Sequence, residues 1–138
     1  MQDFTQRISI VVRRDIEPWQ VTNTIGHIAA YLGNKIGDRL LTGESFAARD
    51  GVKIPRNSQY PIIVLSAEGK LHDLLMEVQK SGLRYIAYIK NMIDEIDDTK
   101  LETTVTSLDA VDLDILGIGV FGPNEIVKTL TKSFKLWK

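Results

Sequence analysis

The chain has 138 residues, 43% of them hydrophobic, with no cysteine, two histidines and a formal net charge of -1. That length and apolar content suit the core of one domain spanning residues 1–138. The missing thiols exclude disulfides and a cysteine nucleophile, and histidines 45 positions apart argue against a metal site. No apolar run approaches the ~20 residues of a membrane helix, and the amino terminus lacks a basic and apolar leader pattern. The expectation is a cytoplasmic protein with no membrane contact, no cofactor and no metal.

The charge is uneven: residues 1–93 carry a net +3, residues 94–114 a net -7 and residues 115–138 a net +3. A nucleic-acid binder usually shows a basic excess, so a basic face here requires the acidic block to fold elsewhere. That block reads first as a solvated surface and second as a contact for a basic partner.

Arg7 to Val12 is rich in β-branched residues with little polar alternation, which predicts a central strand covered on both faces. Pro18 suits the first turn of a helix, and Glu17 or Asp15 suits its positive end. Val21, Ile25, Ile28 and Leu32 form its core stripe, while Gln20, Asn23, Thr24, His27 and Tyr31 form an adjacent polar one. Gly33-Asn34 is read as its C-cap, and Gly26 as either a close contact or a tolerated weak spot. Residues 35–60 are loop-rich, with a small hairpin over Asp50-Gly51 joining Phe46–Ala48 to Val52–Ile54. Arg39, Arg49, Lys53 and Arg56 there are solvated loop charges or, alternatively, contacts for a phosphate-bearing ligand.

Pro61 to Leu65 predicts a second buried strand, and Ser66 an N-cap for a helix carrying Leu71, Leu74, Leu75 and Val78 up to Gly82. His72 falls on the side of that helix expected to be solvated. Leu83 to Ile89 predicts a third strand. Thr99 and Glu102 have capping-box spacing for a short helix over residues 99–108, whose threonines weaken it. Asp112 to Phe121 predicts a fourth strand, where Gly117 and Gly119 admit a close neighbour. A last helix opens at Gly122-Pro123 with Ile126, Val127 and Leu130 inward, and Phe134, Leu136 and Trp137 pin the chain end.

This order predicts an α/β three-layer sandwich: a four-stranded mixed, mostly parallel sheet with helices on both faces. Ligands of such sheets gather at the carboxyl ends of strands, which places Arg13, Arg14, Asp15, Lys90, Asn91 and the polar helix stripe in one neighbourhood. There, Thr22 or Thr24 with His27 is the nearest approach to a nucleophile and base, although a helical histidine beside threonines is more often structural.

Val11-Val12-Arg13-Arg14-Asp15, His27 with its small neighbours, Ser81-Gly82-Leu83, Gly117-Ile118-Gly119, Gly122-Pro123 and Phe134-Lys135-Leu136 occur in the order that resembles the peptidyl-tRNA hydrolase II fold. The likeness is greater to its uncharacterised bacterial relatives, a domain family of unknown function. The resemblance implies a homodimer; the candidate cleft at the strand ends and polar helix stripe is lined by Arg14, Asp15, Gln20, Thr24, His27, Lys90 and Asn91. The resemblance also implies a catalytic lysine early in the first helix and an aspartate after the third strand. Gln20 stands at the first position, and Lys90 or Asn91 at the second. Glutamine supplies no fixed positive charge for an oxyanion, a loss of about 3–4 kcal/mol in a transition state. The expected function is therefore binding of a small-molecule or RNA-derived ligand without the hydrolysis. The rival is a hydrolase or transferase acting on a tRNA-linked or related ester through a rearranged site.

Overall fold

The computed structural model, which describes residues 2–138, holds seven strands and five α-helices. The main sheet holds β1 (Gln6–Arg13), β4 (Ile62–Ala67), β5 (Arg84–Ile89), β6 (Ile115–Pro123) and β7 (Lys135–Leu136), in the order β5-β6-β1-β4-β7. β1 occupies the middle, as its unbroken apolar run requires. Its Ile10 lies opposite Val64 in parallel β4 and opposite Gly119 in antiparallel β6.

Successive β1 side chains enter different cores. Ile8, Ile10 and Val12 pack with Val21, Ile28, Leu32 and Ile36 of α1 (Pro18–Ile36), whereas Val11 packs with Leu74 and Val78 of α2 (His72–Ser81) and Val127 of α5 (Asn124–Thr131). The result is three layers, with α1 on one face and α2 and α5 on the other. Full burial of Ile28 and Leu32 contributes about 1.5–3 kcal/mol each.

Two glycines set how closely α1 approaches the sheet. A Cβ on Gly119 would overlap Ile28 Cγ2, and one on Gly117 would lie 2.7 Å from Thr24 Cγ2. Beside them Tyr88 lies opposite Gly117 but Ile89 lies opposite Ile115, so Leu116 is an extra residue in β6. This bulge turns Leu116 toward the α1 core and Ile115 toward the opposite one.

The sheet departs from the sequence expectation in having five strands, with one parallel pair among its four pairings. β1, β4 and β5 do point the same way, but β6 inserts between β5 and β1 and β7 adds to β4, each antiparallel to its neighbours. β7 has two residues, too few for a periodicity. It holds Phe134 and Trp137 against opposite cores, while Leu136 stays exposed.

Other boundaries also shift. α1 passes through Gly33 and stops at Gly37, whose φ of 68° suits glycine and whose N–H reaches the Gly33 carbonyl. Ser66 belongs to β4, and α2 begins at His72. The expected solvated His72 is half-buried, with Nε2 2.9 Å from the Leu113 carbonyl. After α3 (Asn91–Asp94), helix α4 (Asp98–Thr106) is capped by Asp97, which accepts from the Thr99 and Lys100 N–H groups, in place of the Thr99–Glu102 box. Ile126 points outward on α5, where buried Thr131 takes an inward position. The small hairpin forms as expected, pairing β2 (Ser45–Ala47) with β3 (Lys53–Pro55) over a turn with Gly51 at φ 92°. No helix among the described residues is long and apolar enough to cross a membrane.

Candidate functional site

The strand ends and α1 build two adjacent polar regions. In the first, Arg13 leaves the end of β1 and donates through Nε and Nη2 to the two Asp15 oxygens, each at 3.0 Å. Its Nη1 donates to Asp114, just before β6. Those Arg13 bonds hold the Asp15 carboxyl below the ordinary carboxylate value. Lys90, at the end of β5, sends its backbone N–H to the Asp114 carbonyl and its Nζ to Asp94 at 2.6 Å. The Asp94 hydrogen bond raises the Lys90 ammonium above its usual value. Both cations in this network already have carboxylate partners, so it ties three strand ends together.

The second region is the outward face of α1. Trp19, Asn23 and His27 recur at intervals of four, flanked by Thr22, Gly26 and Ala30, and these six residues line a shallow groove of about 520 Å³. Trp19 is 57% exposed although large and apolar. His27 stacks on Tyr88 of β5, with ring centroids 4.9 Å apart and planes inclined by 14°. Tyr88 Oη donates to Asn23 Oδ1 at 3.0 Å, and burial raises the phenol's pKa. This bond locks Asn23 and leaves its NH₂ group to face outward chemistry. Gly26 carries no close contact. The glycine lowers the groove floor between Thr22 and Ala30.

Of the residues singled out in sequence, Asp15 joins Lys90 through Arg13 and Asp114, whereas the expected partner Arg14 turns away. Arg14 donates to the Lys138 carbonyl at 2.6 Å and lies over the Trp137 ring at 5.1 Å. Gln20 is spent on the helix start, where its Oε1 accepts the Glu17 N–H at 3.1 Å in a capping box. Thr24 is fully buried beneath Gly117, and its hydroxyl has no partner. Thr22 donates to the Trp19 carbonyl at 3.0 Å. Neither threonine is bonded to His27. Asn91 opens α3, its carbonyl accepting the Glu95 N–H. Among the loop cations, Arg56 covers the Phe46 ring at 4.2 Å and Arg39 lies beside β5.

Sequence reasoning did not place Trp19, Tyr88 or Asp114 in the candidate cleft. The spacing of Trp19, Asn23 and His27 was the available signal for the first. The others depend on strand pairing across long separations, which no local pattern encodes. Among the described residues, no group of three His, Asp or Glu side chains is arranged to hold a metal.

A family model described as "Protein of unknown function (DUF2000)" matches residues 6–138. A solved structure of a protein of unknown function from Agrobacterium tumefaciens strain C58 has the same fold, with a TM-score of 0.86 at 20% identity over 99% of this chain and 100% of that one. No curated protein matches the sequence.

Proposed function

The chain belongs to the DUF2000 family of proteins of unknown function, and from its own geometry we propose that it is a binding protein that takes a flat-ringed ligand along the exposed stripe of α1. The scaffold in this reading is peptidyl-tRNA hydrolase II-like, without that enzyme's hydrolysis. The observation that carries it is the aromatic pair: an exposed Trp19 and a His27 whose ring is held in place by Tyr88. Aromatic rings fixed beside an amide suit stacking on a nucleobase or similar ring, an interaction of about 1–3 kcal/mol per base. Ester cleavage would need a nucleophile, a base and an oxyanion donor in mutual reach. Arg13 and Lys90 are neutralised by carboxylates, and Gln20 serves the helix start.

Adenosine 5′-monophosphate and a short tRNA acceptor-stem RNA are the probes. Titrating the protein into either while following the probe's own ring protons by NMR should show saturable changes that disappear in Trp19→Ala and weaken in His27→Ala. A peptidyl-tRNA mimic should survive incubation with the protein. Peptide release that is lost in Asp15→Asn or His27→Ala would overturn the reading in favour of the hydrolase, and no response to either probe would overturn the flat-ringed ligand.

A further inference from the structure

β5 is an edge strand. Six residues, Arg84–Ile89, pair with β6 on one side and, among the described residues, with nothing on the other. Lys90 sends its N–H toward β6, to the Asp114 carbonyl, so alternation along the strand turns the backbone groups of Tyr85, Ala87 and Ile89 to the free edge. Natural edges are usually shortened, bulged away or guarded by proline or inward charge. Here the bulge lies in β6, and β5 is regular, contains no proline and bears Arg84 as its sole charge. A groove of about 1140 Å³ runs along that edge on both sides of the sheet, lined by Tyr31 and Ile86 on one face and Tyr85, Ala87, Val105 and Leu113 on the other.

The groove's ends differ in charge. Lys35 and Arg39 lie with Arg84 at the amino end of β5, since α1 runs back along the sheet. At the carboxyl end, past the paired Lys90 and Asp94, the chain continues into Glu95, Asp97, Asp98 and Glu102, within the block of net charge -7. A strand docked antiparallel would need acid at the first end, base at the second and an apolar middle. A second copy of β5 offers that arrangement.

We infer that β5 pairs antiparallel with β5 of a second copy, about a two-fold axis through Ala87, making one continuous sheet across the dimer. About that axis Ala87 faces itself and Tyr85 faces Ile89 of the other copy. Each pair exchanges both backbone bonds, and the edge groups of Tyr85, Ala87 and Ile89 are all satisfied. Each basic end meets an acidic one, which steers encounter and sets orientation. The inference does not depend on what α1 binds.

The chain has no cysteine, so Ala87→Cys introduces a single thiol. Directly bonded residues across antiparallel strands stand about 5.5 Å apart at Cα, within disulfide reach. Sedimentation of the wild-type protein should give a dimer that dissociates as salt rises, and Arg84→Glu with Arg39→Glu should raise its dissociation constant at least tenfold. Under mild oxidation Ala87→Cys should run as a cross-linked dimer on non-reducing gels, far ahead of Thr129→Cys, whose thiol lies on distant α5. Circular dichroism confirms that each variant is folded. A wild-type monomer at 100 µM would overturn the inference, and would leave the edge to a different strand. A dimer in which Ala87→Cys cross-links no better than Thr129→Cys would overturn it equally, by placing the interface elsewhere.

Discussion

Two buried helical threonines make opposite predictions for the same substitution. Thr24 on α1 is completely buried, yet its hydroxyl has no partner. Thr131 is also buried, and its hydroxyl donates to the Val127 carbonyl at 2.8 Å. Valine keeps the shape of threonine and its β-branching, so neither packing nor helix propensity changes greatly. At residue 24 the exchange removes an unsatisfied polar group whose burial costs about 1–3 kcal/mol. Allowing for partial compensation, Thr24→Val should stabilise the fold by about 1 kcal/mol, or roughly 3–5 °C in Tm for a chain of this size. At residue 131 it removes a made bond, and Thr131→Val should cost about 0.5–1.5 kcal/mol. Urea unfolding followed by circular dichroism, with calorimetry for Tm, reads both, and the separation between the variants should be about 2 kcal/mol. If Thr24→Val lowers the midpoint as far as Thr131→Val does, the hydroxyl of Thr24 has a partner and the reasoning fails.

Gly119→Ala should destabilise by about 1–3 kcal/mol, because its Cβ has to displace Ile28 and lies 3.0 Å from Leu32; an unchanged urea midpoint would mean that α1 yields freely. The same substitution at Gly26, with open space around it, should instead raise helix stability by up to ~1 kcal/mol. Asp15 has its carboxyl pKa lowered in the folded state, so the stability it supplies is present above the ordinary value of about 3.9 and is lost as pH falls through the lower folded value. Asp15→Asn should therefore narrow the stability difference between pH 5 and pH 3. The effect stays below ~1 kcal/mol because Asp15 is more than half exposed, and an unaltered pH profile would remove Asp15 from the acid response.

Local chemistry made much of the architecture readable. The β-branched run at Arg7–Val12, Pro18 at a helix start, the stripe Val21–Ile28–Leu32 and Gly82 after α2 each act within a few residues, and each produced the element expected. The candidate site was less legible. Gln20, Thr24 and His27 share one helix, but a helical wheel cannot tell that Thr24 lies beneath a glycine of β6 while His27 meets a tyrosine of β5. Nor does it show that Arg13, in place of Arg14, takes Asp15, since alternation along a strand sends the two arginines in opposite directions.

Sequence by itself determined that this chain forms strands and helices in alternation, that its first strand is central, and that glycines at 117 and 119 admit something close. Tertiary structure alone decided the direction of β6, the two-residue strand that closes the opposite edge, the fate of each polar side chain on α1 and the unpaired edge of β5. The reason is physical: periodicity and capping are set by neighbours within a turn or two, whereas strand order, a bulge at Leu116 and a partner for Asp114 are set by contacts between residues distant along the chain, whose energies depend on all the elements assembling at once.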